Sequence, residues 1–123
     1  MSVLGLDHVQ VAAPRGPGVE EEARAFYSSL LGLRELEKPG VLKPKRGVWF
    51  SLGAGELHVG LEGDFRPARK AHPALLVEGL DRLRAALEVA GYETISGEEI
   101  PGARRFYVHD PFGNRIELVE RVG

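Results

Sequence analysis

The chain has 123 residues, a formal net charge of −2 at pH 7 and no cysteine. This length fits one compact domain. The absence of cysteine excludes disulfide bonds and thiolate metal ligands, and it suits a reducing compartment. Charges of mixed sign give no general attraction to nucleic acid or to an anionic membrane. The first residues lack the layout of a signal peptide, and no apolar run could span a bilayer. We therefore expect a soluble cytoplasmic protein without a nucleic-acid or membrane partner.

The first half of the chain predicts a strand, a helix and three more strands. Alternation over about Val3–Ala12 is typical of a strand. VEEEARAFYSSLLG predicts a helix, because apolar residues share one face, acidic residues fill the first turn and Gly32 ends it. LRELE predicts a short strand, which a basic, proline-rich loop follows. VWFSL and ELHVGLE then predict two strands joined through a glycine-rich turn.

The second half repeats this order. HPALLVEG predicts a strand, LDRLRAALEVAG a helix that Gly91 ends, and YETIS, RRFYVHD and NRIELVE three strands. Two modules follow, residues 1–63 and 71–121, with a linker at 64–70. A half of this size could not bury its own sheet face, so we expect both modules to form a single α+β domain over residues 1–123. A hairpin-rich α+β domain without duplication is the alternative.

Histidine and glutamate recur at equivalent strand positions of the two modules. His8 opens the first module as His72 opens the second. Side chains alternate across a strand, so Glu117 points away from the helix if Ile116 and Leu118 point toward it.

The same rule applied to ELHVG puts His58 on the face of Glu117, because Leu57 and Val59 take the helix-covered face. Imidazole and carboxylate suit zinc, iron, nickel or manganese. The pattern predicts a metal site, with a polar groove as the alternative, formed by His8, His58, His72 and Glu117.

These stretches resemble the vicinal oxygen chelate superfamily, which includes glyoxalase I, bleomycin- and fosfomycin-resistance proteins and extradiol dioxygenases. The resemblance covers nearly the whole chain, through LDHVQVAAP, AFYSSLLGL, ELHVGLE, HPALLVEGLDRLRAALEVAG and FYVHDPFGNRIELVE. It implies two βαβββ modules with one main helix each, whose eight strands wrap around a cleft. It also implies metal ligands on the first and last strand of each module.

Carried over to this chain, the resemblance implies that His8, His72 and Glu117 bind one divalent ion, which could be zinc, nickel, iron, manganese or cobalt. Glu117 is also implied as the catalytic base. The remaining ligand lies in ELHVG. The flanking apolar residues favour His58, whereas a direct match to the glyoxalase pattern favours Glu56; we prefer His58, a departure from the glyoxalase I ligand set.

The resemblance implies a metal-dependent enzyme of the lyase, isomerase, transferase or dioxygenase type, acting on a small molecule with two adjacent oxygens. A metal-free protein that sequesters a small molecule, as in bleomycin resistance, is the alternative. A basic loop that includes Lys43, Lys45 and Arg46 could meet an anionic substrate, as in fosfomycin-type transferases, or be merely solvated. The residues that we expect to contact the substrate are Gln10, Trp49, Arg105 and Arg115.

Two further expectations concern the aromatic strands. Trp49 and Phe50 are adjacent, so one should line the cleft and the other the core. We also expect a homodimer, because VWF and FYV offer apolar strand faces that one helix per module could leave uncovered, and because relatives pair modules across subunits.

Overall fold

The computed structural model describes every residue from Met1 to Gly123. The chain divides into two compact units, residues 1–66 and 67–123. The first unit contains β1 (His8–Pro14), α1 (Val19–Ala23) with a π-helical continuation (Arg24–Leu30), β2 (Glu35–Leu36), a 3-10 turn (Gly40–Leu42), β3 (Val48–Leu52) and β4 (Gly55–Glu62). Its sheet has the strand order β1-β4-β3-β2, with β1 parallel to β4.

The second unit has the same plan. It contains β5 (Ala74–Leu76), α2 (Leu80–Val89), β6 (Thr94–Ser96), β7 (Ala103–His109) and β8 (Arg115–Arg121). Its sheet has the order β5-β8-β7-β6, with β5 parallel to β8. The predicted α+β class and the duplicated strand–helix–strand–strand–strand order are confirmed. Neither helix combines the length and the hydropathy that a membrane span needs.

The first strand starts later than predicted. It begins at His8 rather than near Val3, and its first partner is Glu56 on β4. Because β4 itself starts at Gly55, no strand lies opposite the residues before His8. The residues before His8 alternate in polarity as a strand would, but they have no strand partner in this sheet.

The first helix also differs from the single α-helix that was predicted. The Leu31 N–H donates to the Phe26 carbonyl at 3.0 Å, five residues back, which is the π-helical pattern. Phe26 and Tyr27 are both fully buried, with ring centroids 4.9 Å apart. A regular α-helix turns consecutive residues to different faces, so the wider π turn suits the burial of two adjacent aromatic side chains.

Each sheet has one apolar and one polar face. In VWF and FYV the apolar residues Val48, Phe50, Phe106 and Val108 are at most 2% exposed, so they are covered within a single chain. The expectation that these residues form an uncovered apolar surface is therefore wrong. The exposed large apolar side chains lie elsewhere, foremost among them Met1, Val3, Leu4, Leu6, Val41, Leu76 and Val89.

The turn between β7 and β8 depends on a buried carboxylate. Asp110 Oδ1 accepts the N–H groups of Phe112 at 2.9 Å and Asn114 at 2.8 Å, and Asp110 Oδ2 accepts Asn114 Nδ2 at 2.9 Å. Gly113 has a φ of 94°, where a residue without Cβ is favoured. This turn sets the register that places Glu117 directly opposite Tyr107.

The basic loop between β2 and β3 is tied to the first helix through Glu20. Its carboxylate accepts Arg46 Nη2 at 2.6 Å, Arg46 Nε at 3.0 Å and the Gly47 N–H at 3.2 Å. The Arg46 guanidinium lowers the pKa of Glu20 from 4.5 to about 2. A depressed carboxyl pKa means that the contact stabilises the fold fully above pH 4.5, and that this stabilisation is lost as the pH falls toward 2.

We expect Glu20→Gln to lower the free energy of unfolding by about 1 kcal/mol at neutral pH, because Arg46 is partly solvated and screening reduces the effect. The difference from the parent should shrink as both are moved from neutral pH to about pH 3. Urea denaturation at the two pH values measures it. Glu21→Gln, which removes a more exposed partner of Arg24, is the control and should cost less. A penalty for Glu20→Gln that stays constant with pH would contradict this assignment.

Candidate functional site

Three rings stack across the polar face of the first sheet. The His8 and His58 centroids are 4.3 Å apart with planes at 17°, and the His58 and Trp49 centroids are 3.9 Å apart at 2°. Trp49 pairs with His58 in the strand register, and Gln10 lies on the other side of His58. Trp49 therefore faces the polar side while Phe50 is fully buried, as the alternation predicted.

The hydrogen bonds of this stack differ between its two histidines. His8 Nδ1 lies 2.8 Å from Asp7 Oδ2, which leaves its Nε2 free of hydrogen bonds. His58 instead uses Nε2, at 2.8 Å from Glu56 Oε1, and only 5% of His58 is exposed. The side chain of Glu56 is 40% exposed. The two candidate ligands from β4 are thus bonded to each other.

The exposed side chain of Gln10 extends from β1 over Gly60 of β4. A Cβ added at Gly60 would be 2.5 Å from Gln10 Nε2, so any larger residue there would displace this side chain. Gln10 therefore shares the sheet face of His8, where a substrate-binding role was predicted.

The central contact in the second unit joins His72 to Glu117. His72 Nε2 lies 2.8 Å from Glu117 Oε1, and His72 Nδ1 lies 2.7 Å from the Lys70 carbonyl oxygen. Because a carbonyl can only accept, Nδ1 carries a hydrogen, and the contact of Nε2 with the carboxylate requires a proton or a cation between the two atoms.

The local fold explains why these two side chains meet. His72 lies directly before Pro73 at the entrance to β5, and the Glu117 N–H donates to the Pro73 carbonyl at 3.0 Å. Ala74 is the register partner of Glu117 in the parallel β5–β8 pair. Glu117 therefore points away from the apolar face, which holds Ile116 and Leu118, as the alternation predicted.

Arginine and tyrosine side chains surround Glu117. Arg105 Nη1 donates to the Tyr107 hydroxyl and lies 3.4 Å from Glu117 Oε2, while Arg105 Nε donates to the Glu98 carbonyl at 3.2 Å. Arg115 places its Cζ 4.0 Å from the centroid of the Tyr107 ring. Tyr107 was missed in the sequence, although it alternates with Arg105 and so had to share its face.

The basic loop is largely compensated within the first unit. Lys43 pairs with Glu37, Arg46 pairs with Glu20, and Lys38 donates to the carbonyls of Lys45 and Gly47. These contacts favour a structural role for the loop over recognition of an anionic substrate.

The predicted metal ligands occur as pairs. His8 contacts His58, and His72 contacts Glu117, but no group of three or more histidine, aspartate or glutamate side chains is arranged to hold a metal ion. The four-ligand set therefore stays a prediction.

Comparison with solved structures gives close and distant similarities. A glyoxalase family protein from Bacillus anthracis is 48% identical, with a TM-score of 0.91 and coverage of 99% of this chain and 98% of that chain. A glyoxalase/dioxygenase from Nostoc punctiforme is 22% identical, with a TM-score of 0.78 and coverage of 100% and 99%. The fosfomycin resistance protein FosX from Listeria monocytogenes is 14% identical, with a TM-score of 0.76 and coverage of 98% and 96%. The last two similarities show the fold alone.

A comparison with curated protein sequences finds no match. The family model described as Glyoxalase/Bleomycin resistance protein/Dioxygenase superfamily matches residues 5–118, which is nearly the whole chain. The family resemblance predicted from the motifs is thereby confirmed, and the chain belongs to the glyoxalase/bleomycin resistance protein/dioxygenase superfamily.

Proposed function

We propose that this protein is a metal-dependent enzyme that acts on a small molecule with two adjacent oxygens, and that Glu117 is its catalytic residue. The observation that carries the proposal is the 2.8 Å contact between His72 Nε2 and Glu117 Oε1. His72 and Glu117 would hold a divalent cation, since zinc and related metals accept imidazole and carboxylate ligands together.

The Nδ1 atoms of His8 and His72 support the proposed metal site. His72 Nδ1 is held by the Lys70 carbonyl and His8 Nδ1 by the Asp7 carboxylate. Metal-ligating histidines usually bond an oxygen through the nitrogen that does not bind the metal, which fixes the tautomer and the ring orientation. Both His8 and His72 therefore present Nε2 as the ligating atom.

The stacking of His8 on His58 helps to decide whether Glu56 or His58 is the ligand from β4. An imidazole nitrogen offers its lone pair in the plane of the ring. The His8 and His58 rings are stacked nearly parallel with centroids 4.3 Å apart, so their nitrogens would not converge on one ligand position in this arrangement. Glu56 is the register partner of His8, and its side chain is 40% exposed. The geometry thus supports Glu56 over His58, with His58 orienting Glu56 through Nε2.

The proposed ligands are His8, His72, Glu117 and Glu56, with His58 in place of Glu56 as the alternative. When bound, the metal acts as a Lewis acid that polarises the two substrate oxygens and stabilises the charge that develops on them.

Glu117 is the group placed to move a proton. Its Oε2 faces Arg105 at 3.4 Å, and its Oε1 faces His72. A carboxylate oriented from both sides can take a proton from the substrate and return it at a neighbouring atom, which is the general acid–base role. Arg105 holds the carboxylate in place and occupies its second oxygen.

A metal-free binding protein is the second candidate. It is favoured by the absence of a group of three metal-type side chains arranged around one point. In that case the Trp49–His58–His8 stack would provide an aromatic platform for a planar ligand.

Glu117→Gln and His72→Ala test the metal site. We expect the parent, purified without chelator, to hold one equivalent of a divalent metal by elemental analysis. Each substitution should weaken metal binding by more than about 10–100-fold, the cost of merely losing a partner of a ligand. His109→Ala, which changes an exposed histidine at the end of β7, is the control and should bind as the parent does. Folded Glu117→Gln and His8→Ala proteins that keep parental metal affinity would favour the metal-free binding protein.

Glu56→Gln and His58→Phe separate the two candidates from β4. Glu56→Gln removes the charged ligand, whereas His58→Phe keeps a flat ring between His8 and Trp49. We expect the first change to weaken metal binding at least about tenfold more than the second. The reverse order would identify His58 as the ligand.

We also propose that the protein is a homodimer held by its first residues. Val3, Leu4 and Leu6 are at least 88% exposed. Burying each such side chain against a second copy would contribute about 1.5–3 kcal/mol.

We expect light scattering to give twice the chain mass at micromolar concentration, and a Leu4→Ser, Leu6→Ser variant to shift toward monomer. Val89→Ser, at a position 90% exposed on α2, is the matched control and should stay dimeric. A monomeric parent would refute the dimer.

A further inference from the structure

Arg115 has no anionic partner although it is partly buried. Three other arginines are buried to a similar extent, and each forms an ion pair with a carboxylate: Arg24 with Glu35, Arg84 with Glu88, and Arg105 with Glu117. The remaining arginines are exposed, so water can solvate them. Arg115 makes neither a hydrogen bond nor an ion pair, and its guanidinium stacks on an aromatic ring. A half-buried guanidinium without an acceptor is costly unless a ligand supplies one.

The contact with Tyr107 leaves the donors of Arg115 available. The guanidinium carbon lies 4.0 Å from the Tyr107 centroid, so a flat face of the group is in use. The five N–H donors lie in the plane of the guanidinium and point outward from its edge. Such an edge fits the two oxygens of a carboxylate or a phosphonate.

Tyr107 is itself held from two other sides. Arg105 Nη1 donates to its hydroxyl, and the His72 ring meets it edge-on at 5.4 Å and 83°. Arg105 differs from Arg115 in that it already has an anionic partner: its Nε and Nη1 serve Tyr107, Glu117 and the Glu98 carbonyl. The arrangement therefore contains one committed and one available guanidinium on the same tyrosine.

The available guanidinium lies on the strand of the proposed catalytic residue. Arg115 and Glu117 are two positions apart on β8 and share a face. Their Cα atoms are therefore about 6.5–7 Å apart. Tyr107, which carries Arg115, is the direct cross-strand partner of Glu117. This separation spans a few bonds of a small organic acid.

We propose, building on the function proposed above, that Arg115 is a specificity-determining residue that binds an oxyanion of the substrate while Tyr107 holds its guanidinium beside Glu117. The substrate class is then a small acid, with its carboxylate or phosphonate a few bonds from the oxygens that react.

Binding of small anions to the metal-free full-length protein tests the proposal. The probes are malonate, methylphosphonate and the neutral isostere malonamide, followed by NMR of the Arg115 Nε–Hε signal. We expect saturable shifts with at least one of the two anions and none with malonamide. The preferred anion tells a carboxylate substrate from a phosphonate substrate.

Matched variants identify the residue. Arg115→Gln removes the charge and Arg115→Lys keeps it without the fork, so both should weaken anion binding, the first by at least about tenfold. Tyr107→Phe keeps the ring and should bind nearly as the parent does, whereas Tyr107→Leu removes the platform and should bind more weakly. Arg121→Gln, an exposed arginine at the far end of β8, is the control and should be unchanged.

The proposal is overturned if neither anion binds the parent, if malonamide binds as tightly as malonate, or if Arg115→Gln keeps parental affinity. Metal binding by Arg115→Gln should equal that of the parent. A chain that binds no metal but still binds anions through Arg115 would refute the metal-dependent function and leave the oxyanion site standing. Metal binding without anion binding would do the reverse.

Discussion

Alternation of side chains along the strands is the constraint on which the rest of the structure depends. Leu57 and Val59 on β4 and Ile116 and Leu118 on β8 are at most 1% exposed, so these residues pin one face of each strand to the core. A slip of one residue would move every side chain to the opposite face and expose these residues to water. Burial of four such side chains contributes roughly 1.5–3 kcal/mol each, which no single polar contact on the other face could outweigh.

This packing also determines which side chains lie on the polar face of each sheet. His58 and Glu117 occur between buried neighbours and are therefore presented on the opposite side, where β1, β3, β5 and β7 bring further polar and aromatic groups beside them. The ring stack of the first unit and the His72–Glu117 contact of the second arise in equivalent places, because each unit pairs its first and last strands in parallel. Repetition of one supersecondary plan thus yields related but chemically different pairs.

The two units differ in whether their basic side chains have acidic partners. In the first unit, acidic side chains neutralise the basic loop, and Arg46 lowers the pKa of Glu20 to about 2. In the second unit, Arg105 is committed to Glu117 and Tyr107, but Arg115 keeps its donors unoccupied. Guanidinium groups are suited to both uses, since their flat face stacks on aromatic rings while their edge binds oxygen pairs. The distribution of partners, rather than the number of positive charges, distinguishes a structural arginine from one available to a ligand.

Much of the fold follows from local pattern. The strands, the second helix and the duplicated order could be read from alternation, helical periodicity and glycine stops, and the faces of Glu117, His58 and Trp49 followed from counting positions. The start of β1 could not be predicted from the sequence, because it depends on where β4 begins. The π-helical turn could not be predicted either, because it accompanies the burial of both Phe26 and Tyr27. Strand ends and helix type respond to contacts that are distant in sequence.

The sequence by itself determined the class of fold, the superfamily and the residues with suitable chemistry. Only the tertiary structure decided which of those residues meet, and through which atoms. His58 Nε2 contacts Glu56, and the Lys70 carbonyl holds His72 Nδ1 so that His72 Nε2 faces Glu117. The tertiary structure also placed Arg115 on Tyr107, a residue that the sequence had not singled out. The physical reason is that residue type and periodicity specify a face, whereas a hydrogen bond or a ring contact requires the register between strands and the orientation of each side chain.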